Sequence, residues 1–153
     1  MVALFIGRFQ PFHIGHLSVL ENLDADPEVA KIIIGIGSSQ YSETDDNPYT
    51  QEVRKKMIEN VVVGKLTTPF EITAIPDIHD DERWVEHVES VVGNFDVVYT
   101  GNDWVRGLFE KKNYETVGVD IEHDISGTKL RELIKNNDET WKEYIPKDNH
   151  KLI

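Results

Sequence analysis

Two histidines, His13 and His16, stand three positions apart in the stretch GRFQPFHIGH, directly behind a short apolar run. If that run is a strand and a helix starts near Gly15, the first backbone N–H groups of the helix point into the loop and carry partial positive charge. His13 and His16 would add imidazole donors at the same place. Arg8 would add a permanent cation, and Gly15 would let a phosphate come close to the backbone. Two other readings stay open. One histidine could lie on the surface and the other in the core. The pair could also belong to a zinc site, although no third ligand stands at a recognised spacing and no HExxH is present.

A second stretch, ISGTKLR from Ile125 to Arg131, has a related composition. Ser126 and Thr128 supply hydroxyls and a helix cap, Gly127 permits close backbone approach, and Arg131 can reach back one turn with a bidentate guanidinium. Alone, the stretch is equally well an ordinary cap; next to the histidine loop it reads as the second half of a polyphosphate cradle. Other nucleotide signatures are missing. There is no GxxxxGK[ST], and Gly127-Thr128-Lys129 only inverts its ending. Gly35-Ile36-Gly37 opens like a dinucleotide fingerprint, but Gln40 stands where the third glycine belongs, which favours a plain turn.

The elements that must position these residues follow from periodicity. Residues 2–6, 29–36, 70–75, 95–100 and 115–119 read as strands, most of them continuous apolar runs suited to a buried sheet. Residues 15–23, with Leu17, Leu20 and Leu23 on one face, read as a helix, as do residues 50–62 (Thr50 as N-cap), 82–92, 103–111 and 126–134. Residues 139–144 suggest one more short helix before a frayed tail. Alternating strands and helices predict an α/β, doubly wound, mostly parallel, Rossmann-like sheet in a single domain over residues 1–153. Ligands of such sheets bind beyond the carboxyl ends of the strands, where the strand order reverses. The loops after the strands, GRFQPFHIGH, GSSQ, IPDIHDDERW, TGND and HDISGT, therefore share one edge.

Composition restricts the classes of function. With 153 residues, 39% hydrophobic and 29% charged, the chain is an ordinary globular sequence with room for one substantial core. It has no cysteine, so disulfides, thiolate zinc sites and cysteine nucleophiles are excluded. No apolar run is long enough to span a bilayer and the N-terminus lacks a signal-peptide pattern, which predicts a cytoplasmic protein with no membrane partner. Sixteen basic against 28 acidic residues give a net charge of −12. That argues against nucleic-acid binding, which needs a cationic face. An anionic ligand would have to be drawn in locally, by helix N-termini, a few arginines and a metal ion travelling with its phosphates.

GRFQPFHIGH together with ISGTKLR resembles the HxGH nucleotidyltransferases, with their GxxxPxHxGH loop and later ISxTxxR, and most closely the archaeal-type nicotinamide mononucleotide adenylyltransferases. Gly37-Ser-Ser-Gln40, Asn47-Pro-Tyr-Thr50 with Arg54 following, Val98-Tyr-Thr-Gly-Asn102 and Trp84 match as well, so the resemblance covers residues 1 to about 146. HIGH also occurs in class I aminoacyl-tRNA synthetases, but the chain has no room for their tRNA-binding parts and no KMSKS-like segment.

The resemblance implies adenylyl transfer from ATP to nicotinamide mononucleotide, giving NAD and pyrophosphate, with Mg²⁺ carried mainly on the ATP phosphates and no protein metal site. It implies that His13, His16, Arg8 and Arg131 act on the phosphates. Gly7, Gly15, Gly101, Asn102, Ile125, Ser126, Gly127 and Thr128 would contact ATP. Phe9, Gln10, Ser38, Asp81 and Trp84 would contact the mononucleotide, with Trp84 stacking on the cationic nicotinamide ring. Trp84 could instead be simple packing, and Gly101-Asn102 a simple turn. Two positions depart from the family pattern. Asp81 stands in place of asparagine, which favours the amide substrate over nicotinate, and Asp45 and Asp46 stand where some relatives carry an arginine. Relatives often assemble, so a homo-oligomer is compatible. Other acceptors (flavin mononucleotide, phosphopantetheine), a cytidylyl donor, or a non-catalytic nucleotide sensor remain alternatives.

Overall fold

A computed structural model of the chain describes residues 1–153. Five strands, β1 (Val2–Gly7), β2 (Lys31–Ile36), β3 (Phe70–Ala74), β4 (Val97–Thr100) and β5 (Glu115–Gly118), form one sheet in the order β3-β2-β1-β4-β5. Every neighbouring pair is parallel, so the expected mostly parallel sheet is wholly parallel. The helices are α1 (Ile14–Ala25), α2 (Gln51–Val62), α3 (Trp84–Val92), α4 (Asp103–Glu110) and α5 (Gly127–Lys135).

Strand side chains alternate between two buried faces. Ala3 and Phe5 of β1 and Ile32 and Ile34 of β2 meet Val19, Leu20 and Leu23 of α1 and Met57, Ile58 and Val62 of α2. Leu4, Ile6 and Ile33 meet Val85 and Val88 of α3 and Leu108 and Phe109 of α4 on the opposite face. Burial on both faces is why the central strands are apolar without interruption. The order steps from β1 to β2 and β3 on one side, then from β1 to β4 and β5 on the other. The reversal leaves a crevice between the carboxyl ends of β1 and β4, where Gly7 and Thr100 end their strands.

Several boundaries differ from the sequence reading for local reasons. β2 and β4 begin at Lys31 and Val97; Val29 and Phe95 are buried ahead of them but stand outside the ladders. α3 begins at Trp84 rather than at residue 82, because residues 81–83 form a turn in which the Arg83 amide donates to the Asp80 carbonyl (3.3 Å). The short helix expected at residues 139–144 is present as a 3-10 helix, Glu139–Glu143. The expected frayed tail is overturned: Lys147–Leu152 is a second 3-10 turn, and its Asn149 is fully buried. Asn149 Nδ2 donates to the Met57 carbonyl (2.8 Å) and its Oδ1 accepts from Asn60 Nδ2 (3.0 Å), which pins the tail to α2. Just ahead of it, the Tyr144 carbonyl accepts from the Ile14 amide (2.9 Å) at the start of α1.

Candidate functional site

The crevice at the strand reversal is a cavity of about 610 Å³, large enough for a nucleotide-sized ligand. Of the residues singled out in the sequence, Gly7, Arg8, Phe9, Gln10, His13, His16, Ser38, Asp81, Trp84, Gly101, Asn102, Gly127 and Arg131 line it, although they come from five separate stretches of chain. Gly15, Ile125, Ser126 and Thr128 stand outside this lining.

The two histidines cap α1 reciprocally. His13 is the N-cap and its Nδ1 accepts from the Gly15 amide (3.0 Å), while the His13 amide donates to His16 Nδ1 (3.1 Å). With both Nδ1 atoms accepting, the protons of the neutral rings sit on Nε2. Neither Nε2 has a protein partner and both rings line the cavity, so the pair presents two N–H donors to it. Burial holds both rings uncharged. It pushes His13 down to about 4, with the Arg131 guanidinium adding to the effect and Asp124 opposing it. Burial, then His13, holds His16 well below the ordinary imidazole value. Phe9 and Phe12 wedge His16, with ring centroids at 4.7 and 5.7 Å.

Gly15 behaves differently from the expectation that it admits a phosphate. A Cβ there would collide with the Ile121 carbonyl oxygen, so the close approach it allows is that of the protein's own backbone. Gly7 likewise makes room for protein: a Cβ would stand 3.2 Å from the Phe9 ring. Gly35 and Ile36 are not the plain turn expected but the end of β2, and the Gly37 amide continues the ladder to the Gly7 carbonyl (2.8 Å); the chain turns only after them, at residues 39–40.

α5 starts as the sequence suggests. Ser126 Oγ accepts from the Lys129 amide (3.1 Å) as N-cap. Arg131 reaches back one turn, donating through Nη2 to Thr128 Oγ1 (3.3 Å) and through Nη1 to the Gln10 carbonyl (3.0 Å). The second helix start is thereby tied to the histidine loop. Ile125 is buried with Leu130 and Ile145 beneath this turn, so its role is to seat the helix. Asn102 caps α4, its Oδ1 accepting from the Trp104 and Val105 amides (3.0 and 3.1 Å), and Gly101 packs against Ile121.

The far end of the cavity is built from the loops after β2 and β3. Ser38 Oγ donates to Asp77 Oδ2 (2.7 Å), Gln40 exchanges two bonds with the Asp77 backbone (2.9 and 3.0 Å), and the Tyr41 hydroxyl pairs with His79 Nε2 (2.7 Å). Asp77, Asp80 and Asp81 line this end beside Trp84. Trp84 belongs to the core and also lines the cavity, and its Nε1 alone among buried side-chain polar atoms lacks a partner. Phe9 and Gln10 are largely committed to structure. Phe9 is buried in the core, and the Gln10 amide makes a two-way pair with the Tyr49 backbone (2.9 and 3.0 Å). Arg54, which the resemblance includes but to which the sequence assigns no role, is fully buried and donates to the carbonyls of Arg8, Gly37 and Ser38 beside the cavity. Its signal was a charge in an otherwise apolar helical row with Met57, Ile58, Val61 and Val62.

The cytidylyltransferase-like family model matches residues 4–133. The nicotinamide-nucleotide adenylyltransferase of Methanococcus aeolicus is 45% identical over 95% of this chain and 84% of its own length. That of Thermoplasma volcanium is 41% identical over 94% of this chain and 80% of its own. Among solved structures, a bifunctional NMN adenylyltransferase/ADP ribose pyrophosphatase of Francisella tularensis, crystallised with AMP and a manganese ion, superposes with a TM-score of 0.67 at 26% identity. The match covers 88% of this chain and 41% of that one. The nicotinic acid mononucleotide adenylyltransferase of Plasmodium falciparum shares the fold, with a TM-score of 0.59 at 11% identity. With both helix starts of the HxGH pattern brought to one cavity at the strand reversal, the chain belongs to the nicotinamide-nucleotide adenylyltransferase family of the cytidylyltransferase-like nucleotidyltransferases.

Proposed function

We propose that this chain transfers the adenylyl group of ATP to nicotinamide mononucleotide, forming NAD and releasing pyrophosphate. The observation that carries the reading is the convergence of the α1 and α5 starts, with His13, His16 and Arg131, on one end of a cavity whose other end holds Trp84 among three aspartates. The mononucleotide phosphate attacks the α-phosphorus of ATP in line; the new P–O bond forms as the bond to the β-phosphate oxygen breaks, and pyrophosphate leaves with that electron pair. The attacking phosphate is already ionised near neutral pH, so catalysis is positioning plus charge stabilisation.

In this reading the Nε2–H donors of His13 and His16 meet the ATP phosphates, with His16 at the α-phosphoryl group as its charge develops. Arg8, Arg131 and the first amides of α5 hold the β- and γ-phosphates and the departing pyrophosphate. In this reading Mg²⁺ enters as the counter-ion of the ATP phosphates, as part of the substrate.

The two ends of the cavity differ in charge, and this bears on the acceptor. A pyridinium ring stacks favourably on an indole face, and a neutral carboxamide can donate to Asp81. The carboxylate of nicotinate mononucleotide would meet Asp77, Asp80 and Asp81 and be repelled, so the amide substrate is preferred. The test is incubation of the purified protein with ATP or CTP, Mg²⁺ and a panel of phosphate acceptors. NAD and pyrophosphate are expected from ATP with nicotinamide mononucleotide. Turnover only with CTP or with a non-pyridine acceptor would replace this reading.

A further inference from the structure

The chain has five arginines, and they divide into two groups. Arg83 and Arg106 lie outside the site and are ion-paired, with Asp80 and Glu110. Arg8 and Arg131 line the cavity, Arg54 is bonded to the backbone of its lining residues, and none of the three has a carboxylate within 4 Å. Arg54 is the unusual one, because it is fully buried. Its Nη1 donates to the carbonyls of Arg8 (3.1 Å) and Gly37 (3.0 Å), and its Nη2 to those of Ser38 (3.3 Å), Ser39 (3.2 Å) and Tyr41 (3.2 Å). Nε donates to the Thr50 carbonyl of its own helix turn (3.3 Å). The donors of one planar fork are therefore shared between the loop after β1 and the loop after β2.

We propose that Arg54 is a positioning residue that couples the two ends of the cavity, holding Arg8 for the phosphates and Ser38 for the acceptor end through a single guanidinium. The proposal rests on the adenylyl-transfer reading for the identity of the two ligands. Its geometric content is specific. The backbone of residues 8–10 is held from both sides, by Arg54 at the Arg8 carbonyl and by Arg131 at the Gln10 carbonyl, and the Arg8 side chain is then steadied by Asn47 (3.2 Å). Ser38 is held in the left-handed region (φ 48°), a conformation that needs outside support in a non-glycine residue. Arg54 supplies that support at the Ser38 carbonyl, and the Ser38 hydroxyl carries it on to Asp77.

A buried cation whose hydrogen-bond partners are all carbonyls has no ion pair to offset its desolvation. An apolar side chain of similar volume would pack α2 without that cost. Burial lowers the proton affinity of both Arg54 and Arg131 and repulsion from Arg8 lowers it further, while Glu52 opposes the shift at Arg54 and Asp46 and Glu122 oppose it at Arg131. A polyanion in the cavity relieves that repulsion.

Arg54→Lys and Arg54→Met separate the roles. Lysine keeps the charge but has no planar fork; methionine keeps bulk and loses both. In both variants KM for ATP and KM for nicotinamide mononucleotide should rise together, and kcat/KM should fall by up to roughly a hundredfold, the cost of a misplaced reacting group. A lysine variant that is folded and keeps both wild-type KM values overturns the proposal, because a purely structural arginine would lower only the melting temperature. A double-mutant cycle with Arg8→Ala adds a second check: ATP affinity losses should be non-additive, and additive losses overturn the coupling. If neither variant accumulates folded protein, wild-type melting with inorganic pyrophosphate decides. A raised Tm supports an anion-binding arginine cluster, and no shift at millimolar pyrophosphate overturns it. Failure of the wild type to make NAD would instead refute the adenylyl-transfer reading.

Discussion

Acid should unfold this protein through His13 in a way that a single substitution can remove. His13 is 2% exposed and held at about 4 in the folded chain, against 6.5 for an ordinary imidazole. The unfolded chain therefore binds the extra proton first as pH falls. The contribution is fully present above 6.5, is lost as pH falls through the window from 6.5 to about 4, and changes no further below it. The whole gap is worth about 3 kcal/mol, of which about 2 kcal/mol is lost by about pH 5. His16 is depressed in the same direction and adds to the loss. Carboxylates titrate over part of the same range, so the informative quantity is a difference between variants. His13→Asn keeps an oxygen acceptor for the Gly15 amide, a good N-cap, and does not titrate. Urea unfolding of both proteins at about pH 7.5 and about pH 5 should show the wild type losing about 2 kcal/mol more than the variant. Equal losses would falsify the assignment of His13 as a buried neutral donor. Saturating ATP should shrink the difference, because an adjacent polyphosphate favours the imidazolium.

The other predictions concern single contacts. His16→Ala should lower kcat by roughly 10²–10³-fold while calorimetric ATP affinity changes far less, since its donor acts on charge that develops only during transfer; an undiminished kcat removes that role. Gly15→Ala should cost about 1–3 kcal/mol of stability in urea titrations, because the new Cβ meets the Ile121 carbonyl; a neutral result would show that α1 can shift freely. Asp81→Asn should raise kcat/KM for nicotinate mononucleotide relative to the amide, measured by NAD-type product formation with each acceptor. Comparable wild-type values for the two acceptors would contradict the proposed selection by charge.

What could be read from the sequence was what has a periodic or local signature. The sheet and its helices follow from runs such as residues 29–36, and the α5 start follows from the cap that Ser126 does form, whereas the cap His13 makes for α1 has no such residue-type signal. Features created only by the meeting of distant segments were not legible. Gly15 looks like a phosphate-contacting glycine until Ile121, more than a hundred residues later, is placed against it. Gln10 looks available until its amide pairs with Tyr49. The tail looked frayed because its polar residues carry no period; Asn149 is held by two polar contacts from α2, which no apolar pattern announces. Arg54 gave a weak signal, a charge in an apolar row, but its partners are backbone carbonyls and leave no mark on residue type.

The net charge of −12 and a polyphosphate site are reconciled by where the charges are left unpaired. Six of the 16 lysine and arginine side chains form ion pairs, and each of those pairs lies at least partly exposed. Arg8, Arg54 and Arg131 stay outside ion pairs because their bonded neighbours are carbonyls, a hydroxyl and an amide oxygen. Exposed carboxylates are screened within about 8–10 Å at ordinary salt, so at the cavity floor their repulsion is weak. The desolvated guanidiniums of Arg54 and Arg131 are screened much less. An acidic exterior therefore disfavours extended polyanions that must lie along the surface, and it leaves the pull on a compact triphosphate that can enter the cavity largely intact.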